Sequence, residues 1–218
     1  MRPRDVKTLI HGQPTTDGNK VPLVRLLPGA GLRGSEAFRL MDPFLLMDHF
    51  GPMVLKPGTD AGFPPHPHRG FQTLTYMMQG AFRHRDSTGG HGLLEPGGAQ
   101  LMNAGSGIIH EEMPVPEHLE TGSHFEHSIP EGFLAAVVVL HGDAEVSGQS
   151  LRPNDVAVLE EKGEGVRVES ANGASLMIMA GLPLHEPIAH YGPFVMNTPE
   201  EIQAAIDDYE TGKMGRLD

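Results

Sequence analysis

The 218-residue chain has no cysteine. Without thiols it forms no disulfide, no thiolate-held zinc site and no cysteine nucleophile. Positive charge is also scarce, with 16 Lys and Arg against 28 Asp and Glu and a net charge of −12. A surface with that balance repels phosphate backbones, which argues against direct nucleic-acid binding. Long apolar runs are missing, since no stretch approaches the roughly 18 residues of a membrane-spanning helix. The opening MRPRDVKTLIHGQ is basic but lacks the apolar run of a secretory signal. These absences lead us to expect a cytoplasmic protein without membrane contact, and a monomer is favoured.

Turn-forming residues are plentiful. The chain has 28 Gly and 19 Pro, and its length suits one large or two small domains. Residues 21 to 55 read as short strands and turns, in VPLVRLLPG and LMDPFLLMDHFGP. From Phe71 the pattern is regular. FQTLTYMMQG alternates with period two and ends at Gly80, AFRHRDSTGG is a second strand and turn, HGLLEPGGAQLMNAG is strand, Pro-Gly turn and strand, and GIIHEEMP closes the run. Short strands punctuated by Gly and Pro predict an all-β sandwich or barrel.

A weak internal repeat supports two such modules. Phe71–Gly80 aligns with Phe133–Gly142, and EPGGAQLM from Glu95 aligns with RPNDVAVL from Arg152. On these alignments Ser128, Pro130 and Arg167 stand where the first copy has His66, His68 and His110. The second copy keeps the strand pattern without the histidines.

The tail carries one clear helix. Thr198 is an N-cap, Pro199 takes the first helical position and Glu201 completes a capping box. Ile202, Ala205, Ile206 and Tyr209 form one apolar stripe, and Gly212 ends the helix. A structural docking role is expected.

The chemistry concentrates in FPPHPHRGFQ. Pro65 and Pro67 hold the backbone extended, so His66 and His68, two residues apart, project from one face. Such a pair alone is compatible with ordinary surface residues. A second same-face pair, His110 and Glu112 in GIIHEEMP, changes the weighing. Three imidazoles and one carboxylate form a credible ligand set for iron, zinc, nickel or manganese, and open positions suit non-haem Fe(II).

The blocks MDPFLLMDHF, FPPHPHRGFQTLTYMMQG, PGGAQLMNAGSGIIHEEMP and PIAHYGPFVMNTPEEIQ, in this order, resemble the pirin family of the cupin superfamily. The resemblance implies a bicupin, two antiparallel jelly-roll-like β-barrels with a C-terminal helix. It implies an N-terminal cupin over 1–116 that carries the metal, a C-terminal cupin over 117–182 without ligands, and a segment over 183–218 with the docking helix. It places the metal on His66, His68, His110 and Glu112, with Fe(II) as the expected ion and Zn, Ni, Mn, Co or Cu as substitutes. It implies quercetin 2,3-dioxygenase activity, in which a flavonol ring is opened with O2. The other reading it implies is a non-enzymatic, iron-redox-dependent regulatory protein that binds a transcription factor or metabolic enzyme.

Two departures from the family pattern stand out. Gln72 replaces a Glu common in pirins; that Glu is not a ligand, so the change bears on the surroundings of the metal. After Met113 the chain passes through MPVPEHLETGSHFEHSIPEGF almost directly into the later strands of the second module, which suggests a truncated first barrel.

Lesser candidates remain. His124, Glu126 and His127 read as surface residues with a weak claim to a second metal site. His84 and His91 read as turn residues with a weaker claim to acid–base chemistry. Arg69 is placed to orient a carboxylate or an anionic substrate. Met77, Met78 and Met102 read as core residues rather than pocket lining.

Overall fold

Antiparallel strands dominate the protein, as its turn-rich composition predicts, in a computed structural model that describes residues 3–28, 35–51, 61–115, 127–171 and 173–217. Two compact units result, and each draws on both halves of the chain. One comprises 1–15, 22–51 and 121–185; the other comprises 16–21, 52–120 and 186–218.

The unit containing His66 is built on a four-stranded sheet. Its strands lie in the order Phe63–His68, Ile108–Val115, Ala81–Asp86, His91–Leu94. The alternating prolines keep Phe63–His68 extended, and this strand pairs antiparallel with Ile108–Val115, placing His110 opposite His66. On the other side of Ile108–Val115, His84 lies opposite Glu112 and Asp86 opposite His110. Facing residues on neighbouring antiparallel strands project to the same side. The turn after Ala81–Asp86 is tied by Asp86 Oδ1, which accepts from Thr88 N at 2.8 Å, Thr88 Oγ1 at 2.6 Å and Gly90 N at 3.0 Å. A separate two-stranded ladder joins Gln72–Tyr76 to Ala99–Asn103.

The C-terminal helix Pro199–Glu210 belongs to this unit and forms as its capping signals dictate. Thr198 accepts from the Glu201 amide, and Glu201 reaches back to the Thr198 amide. Its buried Ile202 and Ala205 pack with Phe194, Met214 and Ile109. Ile109 immediately precedes His110 and alternates to the opposite face, so the helix buttresses the back of the histidine strand. Tyr209, the last residue of the expected stripe, is 43% exposed and touches only the edge of this cluster through Phe194.

Gly70 shows why HPHRG ends in glycine. Its φ is +90°, and a Cβ there would fall 1.7 Å from the Val195 carbonyl oxygen. Only glycine allows that approach. The same segment is fastened by Val195 N donating to the Arg69 carbonyl at 3.1 Å.

The other unit has a sheet in the order Val6–His11, Asp155–Leu159, Leu134–Gly142, Ala174–Gly181. Its central strand, LAAVVVLHG, is apolar on both faces because both are covered. Ala135, Val137 and Val139 join Val146, Leu151 and Leu159 on one side. Ala136 and Val138 join Val156, Val158, Leu26, Leu27 and Met41 on the other. Arg4 is buried here with its guanidinium donating to the Phe133 and Pro130 carbonyls at 2.7 and 3.0 Å.

The internal repeat survives as register. The aligned pairs Leu74–Leu101 and Ala136–Val158 each face one another across an antiparallel ladder. Differences from the sequence reading are local. Ser35–Met41 forms a short helix inside a region expected to hold strands and turns. The strand expected over 71–80 covers only Gln72–Tyr76. Met77 and Met102 are buried as expected, whereas Met78 is 38% exposed. The shortened segment after Met113 lies largely outside the described residues, as do His124 and Glu126; His127 is described only as part of the short strand His127–Ser128. No helix among the described residues is long and apolar enough to cross a membrane.

Candidate metal centre

Three of the four expected ligands converge. His66 Nε2 lies 3.1 Å from His68 Nε2 and 2.9 Å from His110 Nε2. The rings are supplied by two facing strands, His66 and His68 by the proline-stiffened one and His110 by its partner. The tautomer of His66 follows from its neighbours. Its Nδ1 lies 2.8 Å from the Pro64 carbonyl, which can only accept, so Nδ1 carries the proton. In that tautomer Nε2 offers a lone pair aimed at two other imidazole nitrogens. Second partners that fix a histidine tautomer in this way are typical of metal-binding imidazoles.

Electrostatics favour neutral rings. Burial, reinforced by the neighbouring His66, lowers the His68 pKa to about 4. Burial again leads at His110, joined by His66, His68 and His84, and lowers its pKa to about 2 although Asp86 opposes the shift. Near neutral pH both rings are unprotonated and both can donate a lone pair. Two neutral imidazoles with their nitrogens this close to a third fit a divalent ion well.

Glu112 stands somewhat apart. Its Oε1 accepts from Thr75 Oγ1 at 2.9 Å. Its carboxylate groups with His84 and His110, the ligand atoms lying within 4.8 Å of one another; the trio His66, His68 and His110 meets the same limit separately. The two groups share His110.

His84, read from the sequence as a turn residue with a weak claim to acid–base chemistry, lies elsewhere. It is 5% exposed, lies within the strand Ala81–Asp86 and not in the turn beyond it, and its Nε2 is 3.2 Å from Asp86 Oδ2. The signal was present in HRD, where His84 and Asp86 share a face, but only the pairing with Ile108–Val115 sets that face against His110 and Glu112. Burial raises the Asp86 carboxyl pKa, yet hydrogen bonds from Thr88, His84 and Gly90 outweigh it and leave the value at about 2. His91, by contrast, is exposed and folds back on Gly89.

Arg69 does orient a carboxylate. Its Nη1 donates to Asp208 Oδ2 of the C-terminal helix at 2.6 Å, and Lys213 holds the other oxygen of Asp208 at 2.6 Å. Gln72 is exposed on the same face as Leu74 and Tyr76, opposite to the face from which Thr75 reaches Glu112. The substitution therefore sits on the outer surface of its strand.

Paired antiparallel β units, one with a knot of histidines on facing strands, define a cupin of the two-domain type. The Pirin profile matches residues 27–127 and the Pirin C-terminal cupin domain matches residues 115–215. The chain belongs to the pirin family. It is 34% identical to the Pseudomonas aeruginosa protein named "Putative quercetin 2,3-dioxygenase PA3240" over 97% of this chain and 98% of that one. It is 30% identical to human pirin over 84% of this chain and 86% of that one. Among solved structures, a quercetin 2,3-dioxygenase from Acinetobacter baumannii superposes with a TM-score of 0.84 at 26% identity, covering 99% of this chain and 100% of that one. The alignment with the Pseudomonas protein runs to 287 positions against 218 residues here, so that relative carries internal sequence this chain lacks. The two family profiles meet over 115–127, within the segment that reads as shortened.

Proposed function

We propose that the protein is a non-haem Fe(II)-binding pirin that opens the ring of a flavonol such as quercetin with dioxygen. The observation that carries the reading is the convergence of the His66, His68 and His110 Nε2 atoms on one point. His66, His68, His110 and Glu112 would hold the ion, which supplies the redox chemistry toward O2 when bound. The neutral state of the buried rings keeps their lone pairs available. Pro64 holds His66 in the ligating tautomer. Thr75 occupies one oxygen of Glu112, leaving the other to ligate or to accept the 3-hydroxyl proton of the flavonol. Burial of His110 and His84 keeps bulk water from the inner side of the site. The names of the similar dioxygenases support this substrate class. The reading takes the cytoplasm as the compartment, where a reducing milieu keeps iron ferrous.

The test is oxygen uptake and carbon monoxide release on adding quercetin to the iron-loaded protein, compared with His66→Ala and Glu112→Ala. Uptake that requires both residues supports turnover. Tight iron binding without uptake would transfer the role to a redox-dependent protein-binding function, the other reading that the family resemblance implies.

A further inference from the structure

We propose that His84, oriented by Asp86, is itself a metal ligand and forms with His110 and Glu112 an alternative 2-His-1-carboxylate seat, which shares those two residues with the four-ligand set and takes the ion in its place. The inference rests on the metal-binding reading above, and it adds a residue outside the four expected ligands.

Placement comes first. His84 faces Glu112 and Asp86 faces His110 across one antiparallel ladder, so all four side chains leave the same side of the sheet. The ligand atoms of His84, His110 and Glu112 lie within 4.8 Å of one another, close enough to close on one cation. His84 and His110 are 5% and 2% exposed, so the imidazole side of the seat is buried, while Glu112 is partly exposed.

Hydrogen bonding supplies the second observation. Asp86 Oδ2 accepts from His84 Nε2, and Asp86 is held in place by Thr88 and Gly90 through its other oxygen. With the proton on Nε2, the lone pair of His84 sits on Nδ1. That Nδ1 is buried and has no hydrogen-bond partner. A buried polar atom left unpaired carries a desolvation cost that a bound cation would remove. A carboxylate holding the remote N–H of an imidazole is the arrangement that presents the other nitrogen to a metal. Two imidazoles and one carboxylate with open positions match the facial set used by non-haem Fe(II). The local chemistry of this seat is thus as suited to iron as that of the three histidines.

The experiment titrates metal-free protein with cobalt(II), reading bound metal by equilibrium dialysis and coordination by visible absorption. The wild type is compared with His84→Phe, His84→Gln and His66→Ala, each checked for a cooperative thermal melt. His84→Gln keeps a hydrogen-bonding group beside Asp86 and holds the fold if His84→Phe does not. We expect the folded His84 variant to lose at least tenfold in cobalt affinity, with a changed absorption envelope. Affinity, stoichiometry and spectrum all equal to wild type in a folded His84 variant would overturn the assignment, while loss of cobalt in His66→Ala would leave the three-histidine reading standing. No cobalt uptake by the wild type would overturn both.

Discussion

Leu74 lies directly across from Leu101 on the ladder between Gln72–Tyr76 and Ala99–Asn103, and the two side chains are 68% and 65% exposed. The repeat-equivalent pair Ala136 and Val158 is fully buried. One register, present in both copies of the repeat, therefore serves opposite environments. Leu101→Ala should change stability by no more than about 0.5 kcal/mol, whereas Val158→Ala should cost about 2 kcal/mol through lost burial and a cavity. Urea unfolding of both variants checks the contrast.

The histidine cluster makes a direct prediction about metal. Removing one imidazole leaves two lone pairs where three converge, so His66→Ala should retain less than about one-hundredth of the wild-type affinity for Fe(II), beyond the effect typical of a residue that only supports a ligand. Elemental analysis after dialysis against a weak chelator measures this. Wild-type iron content in the variant would contradict the ligand set.

Acid should destabilise the metal-free protein in a defined window. The pKa of His68 falls to about 4 and that of His110 to about 2 from an ordinary 6.5. Between those values and 6.5 the unfolded chain binds protons that the folded chain refuses, so stability rises with pH. It is fully present above about pH 6.5 and is lost progressively as the pH falls. Melting temperatures of metal-free protein should therefore drop from pH 7 to pH 4.5, and His68→Gln should flatten part of that slope. An unchanged slope in this variant would remove His68 as its source.

Gly70→Ala should be among the most damaging single-methyl changes in the chain. The positive φ and the Val195 carbonyl at 1.7 Å from the added Cβ act together, and we expect a loss of at least about 2 kcal/mol. Because Gly70 adjoins Arg69 and follows His68 by two residues, metal affinity should weaken in parallel. Thermal melts with and without metal separate the two effects.

The C-terminal helix offers a milder test. Thr198→Ala removes the side chain that accepts from the Glu201 amide, at a cost of about 1 kcal/mol. The loss should appear in global stability, since the helix packs on Ile109 behind the histidine strand. Unaltered chemical denaturation would mean that the helix frays independently of the sheet.

Much of this protein was legible along the chain. Pro65 and Pro67 act on their own neighbours, so the extended HPH segment and the shared face of its two histidines need no tertiary information. The same holds for the helix cap at Thr198 and for the strands separated by Gly and Pro, because turn chemistry and capping are local. The spacing of His110 and Glu112 in the distant GIIHEEMP block read the same way, and family likeness pointed to the same residues. The short helix Ser35–Met41 escaped because it is too brief to show a period.

Tertiary structure alone decided which strands meet. Val6–His11 pairs with Asp155–Leu159, and the C-terminal helix joins the unit of His66, since ladders and apolar clusters bring together residues that no local rule connects. It also moved His84 from an apparent turn residue to a buried strand position, because only the register between Ala81–Asp86 and Ile108–Val115 sets His84 opposite Glu112. Side-chain type is written in the chain, but proximity between strands depends on hydrogen-bond register, and that is a property of the folded sheet.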